Sequence, residues 1–210
     1  MMKEKLTERS LTSFVDLMAA KEPVPGGGGA AAAVGALGAA LCMMVGNYTT
    51  GKKKYAAYEA DVQRIMREAD ALQKQLIEQV NADAEAFEPL SRAYAIPKEH
   101  PDREKVLEEA TVQACAAPME MVRCTAKVID LLDEMQEKGS VMLISDVGCG
   151  ALLCRAALES AAMNVFINTG SMKNRSKAEA MENEVDALLE KYIRKAAEIA
   201  DNTVRRIRKN

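Results

Sequence analysis

Apolar residues recur every three or four positions through most of this chain, and the breaks between such stretches are short. That spacing gathers them on one face of a helix. It predicts a first helix over residues 6–20, with Leu11, Phe14, Val15 and Met18 along one side. A second, from 29 to about 48, is apolar nearly all round, and Ala31, Gly35 and Ala39 form a stripe of small residues that admits a close neighbour. A third runs from about 54 to 90, extending to 94, with Val62, Met66, Ala69, Leu72, Leu76, Val80, Phe87, Leu90 and Tyr94 in step. A fourth spans 102–137, its stripe running from Val106 through Ala110, Ala114, Ala117, Met121, Cys124, Val128 and Leu131 to Met135, with Pro118 set to kink it. A fifth covers 145–168, with Ser145 as N-cap and Asp146 in the favoured first turn. A sixth covers 175–209, with Ala178, Met181, Val185, Leu188, Tyr192, Ala196, Ile199 and Ile207 inward. Gly51 and Gly139 suit helix ends, and residues 96–101 form a turn. The only strand-like run, 141–144, has no partner. The pattern predicts an all-α, up-and-down bundle of about six helices in a single domain, 1–210.

One irregularity in the third helix matters more than the pattern around it. Between Val80 and Phe87 the apolar series skips a step, and the position it skips is Asp83. By helix angle Asp83 lies roughly 20° from both Leu76 and Leu90, so a carboxylate stands where an apolar residue is expected. Burial raises the pKa of such a group toward neutrality and fits it to take and return a proton. The alternative is a structural aspartate paired with a Lys or Arg of another helix. Its neighbours Asn81 and Glu85 fall on other faces and read as solvated.

A second irregularity precedes the second helix. In Pro23-Val24-Pro25-Gly26-Gly27-Gly28-Gly29 two prolines hold the chain extended, and four glycines then let the backbone approach another surface. A glycine turn at a helix N-terminus offers free N–H groups to an anion or a polarised carbonyl. It serves equally as a tight loop before a core helix.

Composition narrows the classes. The chain has 210 residues, 49% hydrophobic and 28% charged, with no Trp and only 4% aromatic residues, so its elements must pack closely. The net charge of −3 argues against a dedicated nucleic-acid binder. The first ten residues carry Lys3, Glu4, Lys5, Glu8 and Arg9 and no apolar core, so no signal peptide is expected. The run 26–46 has the length of a membrane span, yet its Ala and Gly are weakly hydrophobic and a buried helix is the expectation, with no membrane partner. Cys42, Cys115, Cys124, Cys149 and Cys154 have no CxxC spacing and read as reduced core residues of a cytoplasmic protein. His100 is the single histidine and sits in a Pro-flanked loop, which leaves triads and His-built metal sites without their histidines.

Three further groups qualify as site candidates. Lys52-Lys53-Lys54-Tyr55 lies a helix length from the glycines, where an antiparallel neighbour can return one end beside the other; a solvated helix start is the alternative. Gly46 to Lys52 spells GxxxxGK but lacks the following Ser/Thr and a preceding strand, so it is no P-loop. On the fifth helix Asn164 and Asn168 form an i, i+4 pair that can present two amides to a heterocycle or can cap backbone groups. Asp146 shares their face but lies roughly 27 Å from Asn164 along the axis, too far for one small site within a subunit.

Together these residues resemble the cyclodeaminase/cyclohydrolase family, the C-terminal domain of formiminotransferase-cyclodeaminase, in its stand-alone bacterial form. The likeness rests on Pro23-Val24-Pro25-Gly26-Gly27-Gly28 with its Ala/Gly helix, Met44-Val45, Gly51-Lys52-Lys53-Lys54-Tyr55, Asp83-Ala84-Glu85-Ala86-Phe87, Ser145-Asp146 and Asn164-Val165-Phe166-Ile167-Asn168, in order along nearly the whole chain. It implies a homodimer that acts without metal or cofactor on a tetrahydrofolate one-carbon derivative. The implied reaction is conversion of 5-formiminotetrahydrofolate to 5,10-methenyltetrahydrofolate and ammonia, with methenyltetrahydrofolate cyclohydrolase as the alternative. It places the catalytic role on Asp83 and assigns substrate binding to Pro25, Gly26, Gly27, Gly28, Lys52, Lys54, Tyr55, Asp146, Asn164 and Asn168. The lysines are the expected contacts of a folate glutamate tail, which can be polyglutamylated. Gly29 stands where the family often has Ser, and Asn81 where some members have an acid, which weakens a two-carboxylate scheme. The transferase half is absent from this sequence. Outside the family, the residues also admit a non-enzymatic helical oligomer or another small-molecule enzyme on the same bundle.

Overall fold

The computed structural model describes residues 5–209, and among them there is no strand. Seven α-helices follow one another: α1 (Leu11–Ala19), α2 (Gly27–Asn47), α3 (Glu59–Tyr94), α4 (Arg103–Ala114), α5 (Ala116–Lys138), α6 (Ile144–Thr169) and α7 (Arg175–Arg208). Short 3₁₀ turns precede α1, α3 and α6. The all-helical bundle expected from the apolar spacing is the fold observed.

α2 is the central helix, packed on α3, α5 and α6. Its buried positions are almost all Gly and Ala, and the predicted stripe of Ala31, Gly35 and Ala39 is buried throughout. At Gly38 a Cβ would collide with Cys154 Sγ and lie 3.1 Å from the Gly150 carbonyl oxygen, so α2 and α6 meet backbone to backbone. Because Gly27 neighbours Asn164 while Gly38 neighbours Gly150 and Cys154, the two helices run antiparallel. The larger side chains of α3, α5 and α7, among them Ile65, Leu76, Met121, Leu132 and Ile199, fill the surrounding core. Each such burial contributes about 1.5–3 kcal/mol relative to exposure.

Several local expectations change. Residues 6–20 divide into a 3₁₀ turn (Leu6–Glu8) and α1, which buries nothing: Leu11 is 79% and Val15 53% exposed, and only Leu6 and Phe14 pack against the core. The predicted fourth helix is two, α4 and α5, joined at Cys115 three residues before Pro118. Ser145 is not the N-cap of α6; that helix grows directly out of the 3₁₀ turn Val141–Leu143, although Asp146 does occupy its first turn. Gly51, at φ +72°, takes the left-handed conformation expected after α2. All five cysteines are free and four are buried, but Cys149 is exposed, contrary to the core reading. Burial pushes the Cys42 and Cys124 thiols up to about 12, so neither is a thiolate near neutrality.

The outer faces of α2 and α6 remain apolar. Leu37, Met44, Leu152, Met163 and Ile167 are exposed there. The stretches Gly27–Asn47 and Val141–Thr169 are each long and apolar enough to cross a membrane, and 56% and 39% of their most apolar windows are buried inside the protein.

Candidate active site

The chain enters α2 through a cis Val24–Pro25 peptide and buried Pro25. Gly26 is the N-cap and has no side chain to satisfy the amides of the first turn, which are those of Gly27, Gly28 and Gly29. The missing acceptor comes from α3. Asp83 lays its carboxyl against Gly28 so closely that a Cβ at Gly28 would lie 2.5 Å from both Cγ and Oδ2, with the Gly29 amide beside the carboxylate. Burial raises the Asp83 pKa, and the Gly29 amide pulls it partly back. Among the described residues no cationic side chain contributes to that shift or pairs with Asp83, so the paired structural aspartate is not found there. Asp83 is half-buried rather than sealed, a carboxylate with one side on a helix start and the other open.

α6 supplies the opposite wall. The Asn164 side chain lies over Gly27, where a Cβ would come 3.3 Å from its Nδ2 and 3.5 Å from its Oδ1. Its Nδ2 donates to the Ser160 carbonyl at 2.8 Å. Pro25, Gly26, Gly27, Gly28, Asp83 and Asn164 therefore gather at one end of the bundle, with a carboxylate and an amide facing each other across a strip of main chain. Asn168 stands one turn further on and donates its Nδ2 to the Ala114 carbonyl at 3.2 Å. Backbone capping, the second of the two uses open to this pair, describes both donors.

Lys52, Lys54, Tyr55 and Asp146 are elsewhere. The 21 residues of α2 span about 30 Å, and these four lie at its far end, where α6 begins. The expectation that an antiparallel neighbour returns one end beside the other fails within one protomer, because that neighbour, α6, starts where α2 stops. All three lysines are exposed; Lys52 Nζ lies 6.0 Å from the Tyr48 ring and Lys54 Nζ 5.4 Å from the Tyr55 ring. Tyr55 is buried and its hydroxyl accepts from the Val141 N–H at 3.1 Å, which lowers its pKa. Buried Thr49 accepts from the Ser140 N–H at 2.8 Å and donates to the Val45 carbonyl at 2.6 Å. Tyr55 and Thr49 thus latch the turn that launches α6.

Sequence reasoning missed Asn81. It is half-buried, accepting from the Leu6 N–H and donating to Thr7 Oγ1, each at 2.9 Å. It ties the N-terminal turn to α3 two residues from Asp83. An amide inside a long helix was the available signal. His100 is exposed and caps its own loop. Among the described residues no three His, Cys, Asp or Glu side chains cluster as a metal site would require. Two cavities, of about 380 Å³ between α3 and α5 and about 130 Å³ beside α4, border neither the glycine turn nor Asp83. At the notch Gly27 is exposed, whereas Gly26, Asp83 and Asn164 are half-buried.

A family model described as formiminotransferase-cyclodeaminase matches residues 10–187, a span that includes both ends of α2 and every residue of the notch. The chain belongs to the formiminotransferase-cyclodeaminase family. Family relatives include a methenyltetrahydrofolate cyclohydrolase from Methylorubrum extorquens, 40% identical over 86% of this chain and 88% of that protein. The formimidoyltransferase-cyclodeaminase of Rattus norvegicus is 32% identical over 92% of this chain, which spans 37% of the rat protein. Among solved structures, a formiminotetrahydrofolate cyclodeaminase from Thermotoga maritima superposes with a TM-score of 0.84 at 29% identity, covering 95% of this chain and all of that one. In this chain the notch is the place where α2, α3 and α6 bring an acid, an amide and main chain together.

Proposed function

We propose that this chain is an enzyme of tetrahydrofolate one-carbon chemistry, a formiminotetrahydrofolate cyclodeaminase with Asp83 as its proton carrier. The observation that carries the reading is the half-buried Asp83 carboxyl, raised in pKa and set on the glycine start of α2. The substrate contains its own nucleophile. N10 attacks the carbon of the protonated formimino group on N5, Asp83 accepts the N10 proton and returns it to the –NH2 that results, and the carbon–nitrogen bond breaks as ammonia leaves. The products are 5,10-methenyltetrahydrofolate and ammonia. No second acid or base is required, which suits a chain with a single, remote histidine. Gly26 to Gly28 and Asn164 form the cradle for the pterin.

A second reading, methenyltetrahydrofolate cyclohydrolase, is favoured by the relative at 40% identity that matches this chain over most of both lengths. There water attacks the methenyl carbon, Asp83 takes its proton and returns it to N5 as the carbon–N5 bond breaks, and the second proton of the water is released to solvent to leave the formyl group on N10. Following the methenyl absorbance with formiminotetrahydrofolate and then with methenyltetrahydrofolate tests both: appearance of the chromophore supports the first reading, its loss above the spontaneous rate the second. No effect on either overturns the assignment.

The separation of Lys52 and Lys54 from Asp83 favours a homodimer. A two-fold pairing through the exposed apolar faces of α2 and α6 covers Leu37, Leu152, Met163 and Ile167 and exchanges the ends of α2 between subunits. It sets the lysines of one copy beside the notch of the other, within reach of a folate glutamate tail. Lys52→Ala and Lys54→Ala are then expected to raise KM more for polyglutamylated than for monoglutamylated substrate. Equal effects on the two in steady-state assays would remove the lysines from tail binding.

A further inference from the structure

Pro118 lies in the first turn of α5 and has no N–H to offer the carbonyl four residues back, that of Ala114. The backbone between them is helical, with Cys115 at φ −76° and ψ −20°, so an N–H at position 118 would serve that carbonyl in an ordinary helix. Ala114 is buried, and a buried carbonyl left without a donor is destabilising. The donor it receives is Asn168 Nδ2, from α6, 54 residues away in sequence.

Cys115, Met172 and Ala178 also pack in a small buried apolar cluster here, which is not directional, whereas the polar links from α4 to the turn after α6 lie nearer solvent. Glu108 of α4 accepts from the Lys173 and Asn174 N–H groups at 2.8 and 3.0 Å, and Lys173 pairs with Glu104 at 2.5 Å. Exposed contacts of that kind fix geometry weakly. The Asn168 bond reaches inside, and one turn before it on the same face is Asn164, the residue that lies over Gly27.

We propose that Asn168 is a positioning residue: by supplying the donor that Pro118 lacks, it locks the last turns of α6 to the α4–α5 junction and holds the Asn164 amide against the glycine turn. Its value to turnover rests on the functional reading above, whereas its effect on Asn164 does not. A substrate contact, the use its pairing with Asn164 first suggests, leaves no part for Pro118.

The test is a cycle of Asn168→Ala and Pro118→Ala, alone and combined, read by thermal midpoint, by the side-chain amide resonance of Asn164 and by KM. In the parent chain, Asn168→Ala is expected to lower the midpoint by about 2–8 °C, displace the Asn164 resonance and raise KM several-fold. In the Pro118→Ala background, which restores an N–H to the Ala114 carbonyl, the same change should move none of the three. Asn168→Asp, equal in shape but without the donor, should behave like Asn168→Ala. Equal shifts of midpoint and resonance in both backgrounds would overturn the proposal, as would a KM increase that Pro118→Ala fails to rescue. If the Pro118→Ala chain does not fold, the carbonyl ¹³C shift of Ala114 in Asn168→Ala decides instead, an unchanged value counting against the bond. If the parent chain turns over neither folate, the functional reading falls, and the midpoint and the Asn164 resonance still decide the role of Asn168.

Discussion

Asp83→Asn is expected to lower kcat by about 10²–10⁴-fold, the usual weight of a general acid–base, while leaving KM within a small factor of its parent value. The substitution is discriminating because the proposed mechanism gives Asp83 a second role beside its place in the fold. Asp83 lies against the start of α2 beside the Gly29 amide, and an asparagine oxygen suits that amide as well as a carboxylate does. The cap survives and the proton carrier does not. Loss of the charge next to the helix N-terminus changes stability by about 0.3–1 kcal/mol at most. The pH dependence has a definite sign. Burial raises the folded pKa above the ordinary 3.8, so the folded chain holds the proton more tightly than the unfolded one. The parent chain therefore loses stability as pH climbs from the ordinary aspartate range through the raised value, and the variant does not. Denaturant titrations across that range should show Asp83→Asn gaining on the parent with rising pH. Near-normal turnover on both folates would remove Asp83 from the chemistry.

Gly28→Ala should come close to Asp83→Asn in activity while hardly touching stability. A single methyl group at this position occupies the space of the Asp83 carboxyl, 2.5 Å from its Cγ, and the short side chain of Asp83 must swing away. That displaces the cap, which costs about 0.5–2 kcal/mol. Replacing a helical glycine by alanine returns roughly 0.5–1 kcal/mol, so the two nearly cancel. Catalysis has no such compensation, because a proton carrier displaced by an ångström or more loses about 10²-fold. The expected signature is a normally folded protein with kcat reduced about 100-fold or more and the acid limb of its pH–rate profile shifted. A Gly28→Ala variant with parental kcat would mean that the carboxyl works elsewhere than against this turn.

The parts of this structure that could be read in advance are those governed by periodicity along one helix. Asp83 was visible because a carboxylate interrupts the stripe of α3, and α2 because its small residues leave no polar face. What the residues of one helix do not encode is the element lying across from them. Leu11 and Val15 carry a helical spacing, but nothing in α1 says that its face meets no core. Asn81 reads as solvated in the sequence, since its partners, Leu6 and Thr7, lie 75 and 74 positions away. Lys52 and Asp83 matched the same family pattern in order, yet order along the chain is silent about their separation of a helix length. Asn168 shows the limit most clearly. Its bond to Ala114 follows from a proline on another helix, and a reading of α6 alone has no access to it.

One consequence of the glycine start of α2 concerns how specificity can change. The floor of the notch, from Gly26 to Gly28, is bare peptide, and only the flanking Asp83 and Asn164 contribute functional groups. Mutation can subtract nothing from such a floor; at Gly27 and Gly28 it can only add bulk. Divergence toward a new one-carbon substrate would therefore have to begin at the rim, with the floor inherited unaltered.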